Sequence, residues 1–342
     1  MKGPLHSHFS NSPAIRINKY FPGFSCCFAL FAIAIVTSCS EPLAETPEAP
    51  VSEAPEASIV VLGTAQDGGY PQAGCKKDCC KAIREGKRRG QFVASIAIVD
   101  PVAGKKWIID AGPDFPGQME LLDSVLPSAG GKLPNGIFLT HGHIGHYTGL
   151  MFLGREVIGA SGVPVFALPR MRKLLVENAP WSQLTTIGNI SITTLKADST
   201  IQLSDSIFIT PFLVPHRGEF TETAGFRITG PKFNVIYIPD IDRWETWEMK
   251  IEEVIATCDV ALLDGTFFDG NELPGRNIAE VPHPFVAASM KRFASLPEME
   301  KKKVFFIHMN HTNPLHDPAS SASLKLNSAG FRSAKQGMVI PL

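Results

Sequence analysis

Excess charge of one sign, short repeats and a nucleotide-binding loop are all missing from this chain of 342 residues. Its 32 basic and 33 acidic side chains leave a formal net charge of −1, which gives no electrostatic reason to expect nucleic acid as a partner. No internal repeat of short period is visible, which argues against a solenoid. The glycine-rich turn at 65–70 lacks P-loop spacing. The hydrophobic content of 44% is enough for one large globular domain or two small ones.

The N-terminal region also lacks an apolar run long enough for a convincing transmembrane helix. Its apolar segment, 21–36, follows basic residues and is shorter than the roughly 20 residues that a bilayer requires. The segment ends in Val36-Thr37-Ser38-Cys39, which resembles the lipobox of a bacterial lipoprotein. We therefore predict a signal peptide over 1–39, lipidation of Cys39 and an exported protein anchored to a membrane. An ordinary secretory signal with a chance cysteine, or an uncleaved anchor, is the alternative.

Residues 40–57 are rich in Pro, Glu and Ala and poor in large apolar side chains. Such a composition cannot bury enough apolar surface to fold, so it predicts a disordered tether. The apolar runs that predict strands begin at residue 58, and we expect a single catalytic domain over 58–342.

The most informative stretch places three of the ten histidines within six residues: His141, His143 and His146. They directly follow the apolar run 136–139, which predicts a buried strand that delivers ligands at its carboxyl end. Imidazole is the commonest protein ligand for metals, and a tight turn can aim neighbouring rings at one point. A surface turn that happens to carry three histidines explains this clustering poorly. The stretch therefore predicts a metal site.

This stretch, LTHGHIGHYTGL at 139–150, resembles the HxHxDH signature of the metallo-β-lactamase superfamily. One position departs, because Gly145 stands where the superfamily has an aspartate that ligates a second metal. The resemblance implies the superfamily's α/β (αββα) fold, a four-layer sandwich of two β-sheets flanked by helices, and the order of the predicted strands and helices agrees with it. It also implies one or two catalytic metals, zinc with iron or manganese as alternatives, and Gly145 puts the second in doubt.

Histidines and aspartates that follow later apolar runs match the remaining metal positions of the superfamily. The metal ligands that the resemblance implies are His141, His143, His146, His216, Asp240 and His308. Asp240 would be shared between the two metals. His216 would join the first two histidines of the motif on one metal, and His308 would join the third histidine on the other.

Five further polar residues receive roles around this centre. Asp110 resembles the strand-end aspartate that orients ligands from behind, although it could instead cap the segment 113–126. His283 is the candidate acid that protonates a leaving group or contacts substrate. Arg217 and Arg276 are candidates for binding an anionic substrate, and Asp67, in the turn after the first strand, is a weak candidate for substrate contact. The alternative for the loop residues is plain solvation.

Cysteines are few, and three of the seven cluster after the first predicted strand: Cys75, Cys79 and Cys80. His311 follows His308 by three residues and could face this cluster. Three cysteines and one histidine suit a closed, structural zinc site. A disulfide from Cys75 to Cys79 or Cys80 is the rival interpretation, since the predicted compartment is oxidising, and His311 could be an ordinary turn residue.

The cysteine–histidine arrangement resembles one branch of the superfamily, which contains the coenzyme PQQ synthesis protein B and the carbon–phosphorus lyase phosphodiesterase. The stretches 69–72, 263–267 and 308–314 also resemble the former, although the cysteine spacing departs from both. Cys258, beside an apolar run, is predicted to be a small buried residue. His6, His8 and His316 receive no role.

Together these features predict an exported, lipid-anchored hydrolase that uses a metal-bound hydroxide on a phosphodiester or another ester-like bond. Asp240 would hold metal and nucleophile, and His283 would be the acid. An iron-dependent oxygenase like the PQQ synthesis protein B is one alternative, and a non-catalytic binding protein that keeps the fold is another. The expected partners are a small-molecule substrate and the membrane, without nucleic acid, and the oligomeric state stays open.

Overall fold

The computed structural model describes residues 56–127 and 133–342. The predicted signal peptide, Cys39, His6, His8 and residues 40–55 of the predicted tether lie outside these residues. Of the last two tether residues, Ala57 is buried, and its carbonyl accepts a hydrogen bond of 2.8 Å from the Leu342 amide. The folded part therefore begins before Ser58. Over the described ranges, no helix is both long and apolar enough to cross a membrane.

Two seven-stranded sheets lie at the centre of the described residues. The first contains β1 (Ser58–Gly63), β2 (Ser95–Asp100), β3 (Lys105–Ile109), β4 (Gly136–Phe138), β5 (Val163–Ala167), β6 (Ile190–Thr194) and β14 (Val339–Pro341), in the order β14-β1-β2-β3-β4-β5-β6. The second contains β7 (Ile201–Gln202), β8 (Phe208–Val214), β9 (Thr223–Thr229), β10 (Asn234–Ile238), β11 (Val260–Asp264), β12 (Val304–Ile307) and β13 (Arg332–Ser333), in the order β13-β12-β11-β10-β9-β8-β7.

Helices cover the outer faces of both sheets. They are α1 (Asp78–Arg84), α2 (Phe115–Val125), α3 (Ile144–Tyr147), α4 (Pro169–Glu177), α5 (Trp181–Thr186), α6 (Ile251–Ala256), α7 (Val286–Arg292), α8 (Glu298–Lys301) and α9 (Ser321–Ser328). Apolar residues of α2, α4 and α5 pack on the first sheet, and those of α6, α7 and α9 pack on the second. The predicted αββα sandwich is confirmed.

The apolar runs of the sequence are strands buried on both faces. In β1, Ile59 and Val61 belong to the core between the sheets, whereas Val60 and Leu62 pack with the helices outside. Because strand side chains alternate between the two faces, a strand buried on both sides reads as a continuous apolar run. This pattern explains why most strands were predictable within one or two residues.

The sequence predicts a helix over 147–158, from apolar residues at helical spacing, and another over 169–184, with an Arg/Lys face, and both segments differ in the structure. The segment 169–184, expected as one helix, is divided into α4 and α5 by residues 178–180. Pro180 has no amide hydrogen and disfavours the helical conformation of Ala179, so the first helix stops ahead of it. The Asn178 side chain donates to the Leu174 carbonyl (2.8 Å) at this end. The segment 147–158 forms a 3₁₀ turn over Thr148–Leu153 instead of an α-helix.

Strand direction brings the polar strand-end residues to one edge of the sandwich. β3 and β4 are parallel in the first sheet, and β10, β11 and β12 are parallel in the second. β8 runs antiparallel to β9, which runs antiparallel to β10, so β8 also ends at the same edge as β10. The carboxyl ends of parallel strands are where α/β folds place their sites. The candidate ligands therefore converge from both sheets.

The core between the sheets offers a direct test of this packing. Phe226 is fully buried, with its ring centroid 5.9 Å from that of Phe138 in an edge-on arrangement. We expect Phe226→Ala to lower the free energy of unfolding by about 3–5 kcal/mol, because it removes a large buried ring and leaves a cavity. Phe233→Ala, at a side chain that is 39% exposed, is the matched control and should cost about 0.5 kcal/mol or less. Denaturant unfolding of both variants is the measurement. Equal losses in the free energy of unfolding would show that Phe226 is not packed between the sheets.

Candidate metal centre

The turn after β4 and the ends of three other strands position the candidate ligands. α3 begins directly after His143, and the His146 amide donates to the His143 carbonyl (3.0 Å), which turns both rings inward. Asp110 and His308 follow β3 and β12 with φ angles of 67° and 61°. Such left-handed conformations are uncommon for residues other than glycine and concentrate at functional sites. Each sheet thus places one residue with a left-handed backbone conformation at this edge.

The first cluster contains the ring nitrogens of His141, His143 and His216. His143 Nδ1 lies 2.8 Å from His141 Nε2 and 3.3 Å from His216 Nε2. Asp240 Oδ1 lies 3.8 Å from His216 Nε2. These three histidines are buried, and their ligand atoms are close enough to hold a metal ion.

The second cluster lies on the other side of Asp240. Asp240 Oδ2 is 3.1 Å from His146 Nε2 and 3.2 Å from His308 Nε2. Asp67 Oδ1 completes the group, 3.2 Å from His146 Nε2 and 3.7 Å from His308 Nε2. Asp67 was predicted to contact substrate, and the structure places its carboxylate among the candidate ligands at the border of a cavity. Asp240 faces both clusters with different oxygens, as a shared ligand must.

The second cluster passes a simple test of fit for a metal. Its four inward atoms are His146 Nε2, His308 Nε2, Asp240 Oδ2 and Asp67 Oδ1, and among the described residues these buried atoms have no hydrogen-bond partner of acceptable geometry. A tetrahedral zinc ion with ligand distances of 2.0–2.1 Å separates neighbouring ligand atoms by about 3.3 Å. The four histidine-to-carboxylate separations, 3.1–3.7 Å, agree with that requirement. Leaving four buried polar atoms unpaired is otherwise costly, so the residues suit a cation.

The outward ring nitrogen of each histidine has a polar neighbour. The contacts are His146 Nδ1 to Asp110 Oδ2 (2.7 Å), His216 Nδ1 to Asp242 Oδ1 (2.9 Å), His141 Nδ1 to Thr140 Oγ1 (3.0 Å), His308 Nδ1 to Thr266 Oγ1 (3.1 Å) and His143 Nε2 to Glu219 Oε1 (3.1 Å). Such contacts are typical of metal-ligating histidines, since they fix the ring and its tautomer. Asp110 thus bonds to Thr140 and His146, and its side chain does not cap α2.

Charge in the second cluster is predominantly negative. Burial alone would lower the pKa of His146, but Asp110 and Asp240 outweigh burial and raise it well above its usual value. Burial would likewise raise the pKa of Asp240, but His308 and His146 hold it well below its usual range. Burial lowers the pKa of His141, which keeps that ring in the neutral form that binds metals. A divalent cation would neutralise the concentrated carboxylates.

His283 lies beside the clusters, and the side chains of Asp264 and Thr266 contact its ring. Its Nδ1 is 2.8 Å from Asp264 Oδ2 and 3.8 Å from Asp240 Oδ1, and Thr266 Oγ1 is 3.2 Å away. Burial would lower the pKa of His283, but Asp264 outweighs burial and raises it. No role was predicted for Asp264 and Thr266. The available signal was that Asp264 ends an apolar run as Asp240 does, and Thr266 follows two residues later.

Two cavities open beside the clusters. The larger, ≈ 910 Å³, is lined by His143 and by basic, acidic and apolar side chains; among them are Arg170, Lys173, Arg217, Asp67, Glu177, Glu219, Tyr147, Trp181 and Phe220. The smaller, ≈ 480 Å³, is lined by His283, Arg217 and Arg276 among others. Both arginines predicted to bind an anion therefore line these cavities, and Arg217 belongs to both.

A separate cluster contains Cys75, Cys79, Cys80 and His311, whose ligand atoms all lie within 4.8 Å of one another. All three cysteines are free, and the sulfurs of Cys79 and Cys80 are 3.9 Å apart, far beyond the roughly 2.05 Å of a disulfide. Zinc bound by thiolates at about 2.3 Å would separate them by about 3.8 Å. Within residues 56–127 and 133–342, the buried His311 Nδ1 has no hydrogen-bond partner. Cys258 is buried in the core of the second sheet and its helices, as predicted.

The sandwich and its strand-end clusters define a class: αββα proteins that carry a histidine-rich metal centre at one edge of the two sheets. The chain belongs to the beta-lactamase superfamily, because residues 106–309, more than half of its length, match the model of the Beta-lactamase superfamily domain. The superfamily predicted from the HxHxDH-like stretch is confirmed.

Similar proteins lie in the predicted branch. The coenzyme PQQ synthesis protein B of Ruegeria pomeroyi is 27% identical over 308 residues, which cover 83% of this chain and 99% of that protein. The one from Methylorubrum extorquens (strain PA1) is 25% identical over 307 residues with the same coverage. The fold resembles that of Zn(2+)-bound PqqB from Methylobacterium extorquens, with a TM-score of 0.70, 21% identity and coverage of 83% of this chain and 100% of that one. A diphosphatase of the PhnP family has a TM-score of 0.61 at 21% identity, with coverage of 84% and 97%.

Proposed function

We propose that this protein is a metal-dependent hydrolase that cleaves a phosphodiester or another ester-like bond. The observation that carries the proposal is the pair of buried clusters that share Asp240, the second of which has unpaired ligand atoms. The proposed ligands are those predicted from the sequence: His141, His143, His146, His216, Asp240 and His308. Membership of the superfamily and the likeness to a zinc-bound protein support metal binding.

The ligand set suits zinc best, with iron and manganese as the alternatives that imidazole and carboxylate also accept. A bound divalent cation would lower the pKa of a coordinated water and polarise an ester or phosphoryl oxygen. Asp240 would hold the two sites at a fixed separation, because each of its oxygens faces one cluster. The outer contacts of the histidines keep the rings in place, so little reorganisation is needed during the reaction.

His283 is the proposed acid for the leaving group. Asp264 contacts its Nδ1, which leaves Nε2 as the nitrogen available on the cavity side. A histidine whose pKa is raised by a neighbouring carboxylate is protonated over more of the neutral range and can donate a proton. Asp264 and Thr266 act by positioning the ring.

The cavities favour a substrate that combines an anionic group with an apolar or aromatic portion. In the larger cavity, Lys173 is paired with Glu177 (3.9 Å), whereas Arg217 lies 3.4 Å from His143 Nδ1 and supplies positive charge beside the first cluster. Tyr147 and Trp181 supply aromatic surface, with ring centroids 4.8 Å apart. Arg276 adds charge on the His283 side. The structural neighbour described as a diphosphatase supports a bond to phosphorus.

Arg217 is the most direct test of the anionic substrate. We expect Arg217→Ala to lower kcat/KM for an anionic phosphodiester by about tenfold to hundredfold, because a hydrogen bond to a charged group is worth about 1.5–3 kcal/mol. A neutral carboxylic ester should be affected much less. Arg155→Ala removes an exposed arginine paired with Glu156 and is the matched control. Equal losses on the charged and the neutral substrate would contradict the assignment.

The experiment that tests the hydrolase itself compares the purified protein with His141→Ala on a generic phosphodiester. A second candidate is an oxygenase related to the PQQ synthesis protein B, which the chain resembles with identities of 25–27% along 99% of those relatives. Metal-dependent oxygen uptake without hydrolysis would select it. Bound metal without any turnover would select a binding protein.

We also propose, from the sequence, that the chain is exported and anchored through Cys39, and that the cysteine cluster holds a structural zinc.

A further inference from the structure

Gly145 stands where the metal motif of the superfamily has an aspartate. The structure shows which side chain fills the space that a side chain at position 145 would occupy. A Cβ atom built on Gly145 would lie 2.2 Å from Asp67 Oδ1 and 2.7 Å from Asp67 Cα. Neither distance is compatible with van der Waals contact. The carboxylate of Asp67 thus fills the volume that any side chain at 145 would need. The two positions compete for one place beside His146.

The backbone before Asp67 is fixed by neighbours of the metal centre. Ala65 forms parallel bridges with Val93 and with Met309, the residue after His308. The Gln66 amide donates to the Met309 carbonyl (2.9 Å), and the Gln66 side chain accepts a hydrogen bond of 2.6 Å from Asn310. Asp67 is therefore presented to the second cluster by the same segment that presents His308. A loop residue that served only substrate contact would not need this anchoring.

We propose that Asp67 is a ligand of the second metal and replaces the side chain that Gly145 lacks, so that this chain keeps a full binuclear centre. The inference rests on the proposed metal centre. The superfamily motif has this ligand in the turn after β4, whereas this chain would supply it from the turn after β1. It reassigns Asp67 from the substrate to the metal.

The donor set agrees with this assignment. Asp67 Oδ1 is buried, has no hydrogen-bond partner in the part of the chain that the structure describes, and lies within 3.7 Å of both His146 Nε2 and His308 Nε2. With Asp67 and Asp240 ionised and both rings neutral, the charge of the second site balances that of a divalent cation. Without Asp67 only three ligands and one negative charge remain, which predicts weaker binding.

The inference also explains why glycine is needed at 145. A methyl group there removes no ligand, yet it would displace the Asp67 carboxylate. Gly145→Ala should therefore weaken the second metal site. Gly218→Ala, in an exposed loop near the larger cavity, is the matched control, because its Cβ would meet only Arg170 Nη1 at 3.7 Å.

The test is metal stoichiometry, which needs no turnover. The full chain, stripped with a chelator and re-equilibrated with zinc by dialysis, should bind three equivalents: two at the shared Asp240 and one at the cysteine cluster. Asp67→Asn should lose one equivalent, or bind it at least about 100-fold more weakly, since even outer partners of ligands are worth 10–100-fold. Asp114→Asn is the matched control, because the Asp114 side chain accepts a hydrogen bond from the Val93 amide (2.8 Å) and belongs to neither ligand cluster.

A double variant shows which metal is lost. His146→Ala should lose the same equivalent as Asp67→Asn, and the combination should lose no more than either change alone. His143→Ala combined with Asp67→Asn should lose two equivalents. Circular dichroism and thermal unfolding establish that each variant is folded, and Asp67→Asn preserves the shape of the side chain in case Gly145→Ala does not fold.

Zinc content and affinity equal to those of the wild type in Asp67→Asn would overturn the inference. It would also be overturned if the wild type and Asp67→Asn each bound two equivalents of zinc. A changed KM with unchanged zinc content would return Asp67 to the substrate. Failure of the hydrolase proposal is a separate result: the expected zinc losses without any hydrolysis by the wild type would leave the Asp67 assignment intact.

Discussion

Replacement of His141 by alanine is expected to lower kcat/KM for phosphodiester hydrolysis by about 10³-fold or more. His141 Nε2 lies 2.8 Å from His143 Nδ1 in the first cluster, so its loss opens the first metal site. Water activation and charge stabilisation by a metal are worth several kcal/mol, and each 1.36 kcal/mol changes a rate about tenfold. Steady-state kinetics with zinc present gives the comparison.

Chelated wild type is the control for this variant. It should lose hydrolysis to the same extent and regain it when zinc is returned, whereas His141→Ala should not recover. The two metal-free proteins should unfold within a few degrees of each other, because His141 lies in the turn after β4 and the core packing of that strand does not depend on its ring. Full activity of His141→Ala at unchanged metal content would show that the histidine cluster is not the catalytic centre.

Cys80→Ser is expected to remove one zinc and to lower the free energy of unfolding by about 4 kcal/mol or more, as loss of a structural metal does. Burial, with Cys75 and Cys79 nearby, raises the pKa of Cys80 to about 12. The thiol would thus stay protonated near neutral pH without a cation, whereas a coordinated thiol is deprotonated. Zinc binding therefore releases protons, and lowering the pH should make this site easier to strip with a chelator.

Cys258→Ser is the matched control, because it changes another buried cysteine that lies in the core away from the cluster. Burial also raises the pKa of Cys258 to about 12, so the two thiols differ in their neighbours rather than in protonation. Cys258→Ser should retain all zinc, as measured by elemental analysis. Equal zinc content in Cys80→Ser and wild type would leave the cluster as packing alone.

Much of the fold and of the candidate metal centre was predictable, because a few consecutive residues in the sequence are enough to indicate each strand and the ligand that follows it. A buried strand reads as an apolar run, and a histidine or aspartate directly after it is delivered to the strand end. His141, His216, Asp240 and His308 all have this form, and the structure brings them together. The break at 178–180 was also visible locally, in Pro180, but the helical spacing on both sides obscured it.

The contribution of Asp67 could not be predicted in the same way. The sequence shows the loss of an aspartate at 145, but only the fold places position 67 within reach of it, across 78 residues of chain. Asp242 and Glu219, which contact the outward nitrogens of His216 and His143, lie in loops without a distinctive pattern. Such contacts depend on where two sheets meet, and periodicity does not contain that information.

The central claim is that the shared Asp240 lies between two metal ions, and anomalous diffraction locates them directly. Crystals of the protein purified without added metal would be measured above and below the zinc, iron and manganese absorption edges. The account predicts one peak among His141, His143 and His216, a second among His146, His308, Asp240 and Asp67, and a third at the cysteines, with zinc as the expected element. Anomalous maps without a peak beside Asp240, from crystals of active protein, would contradict it.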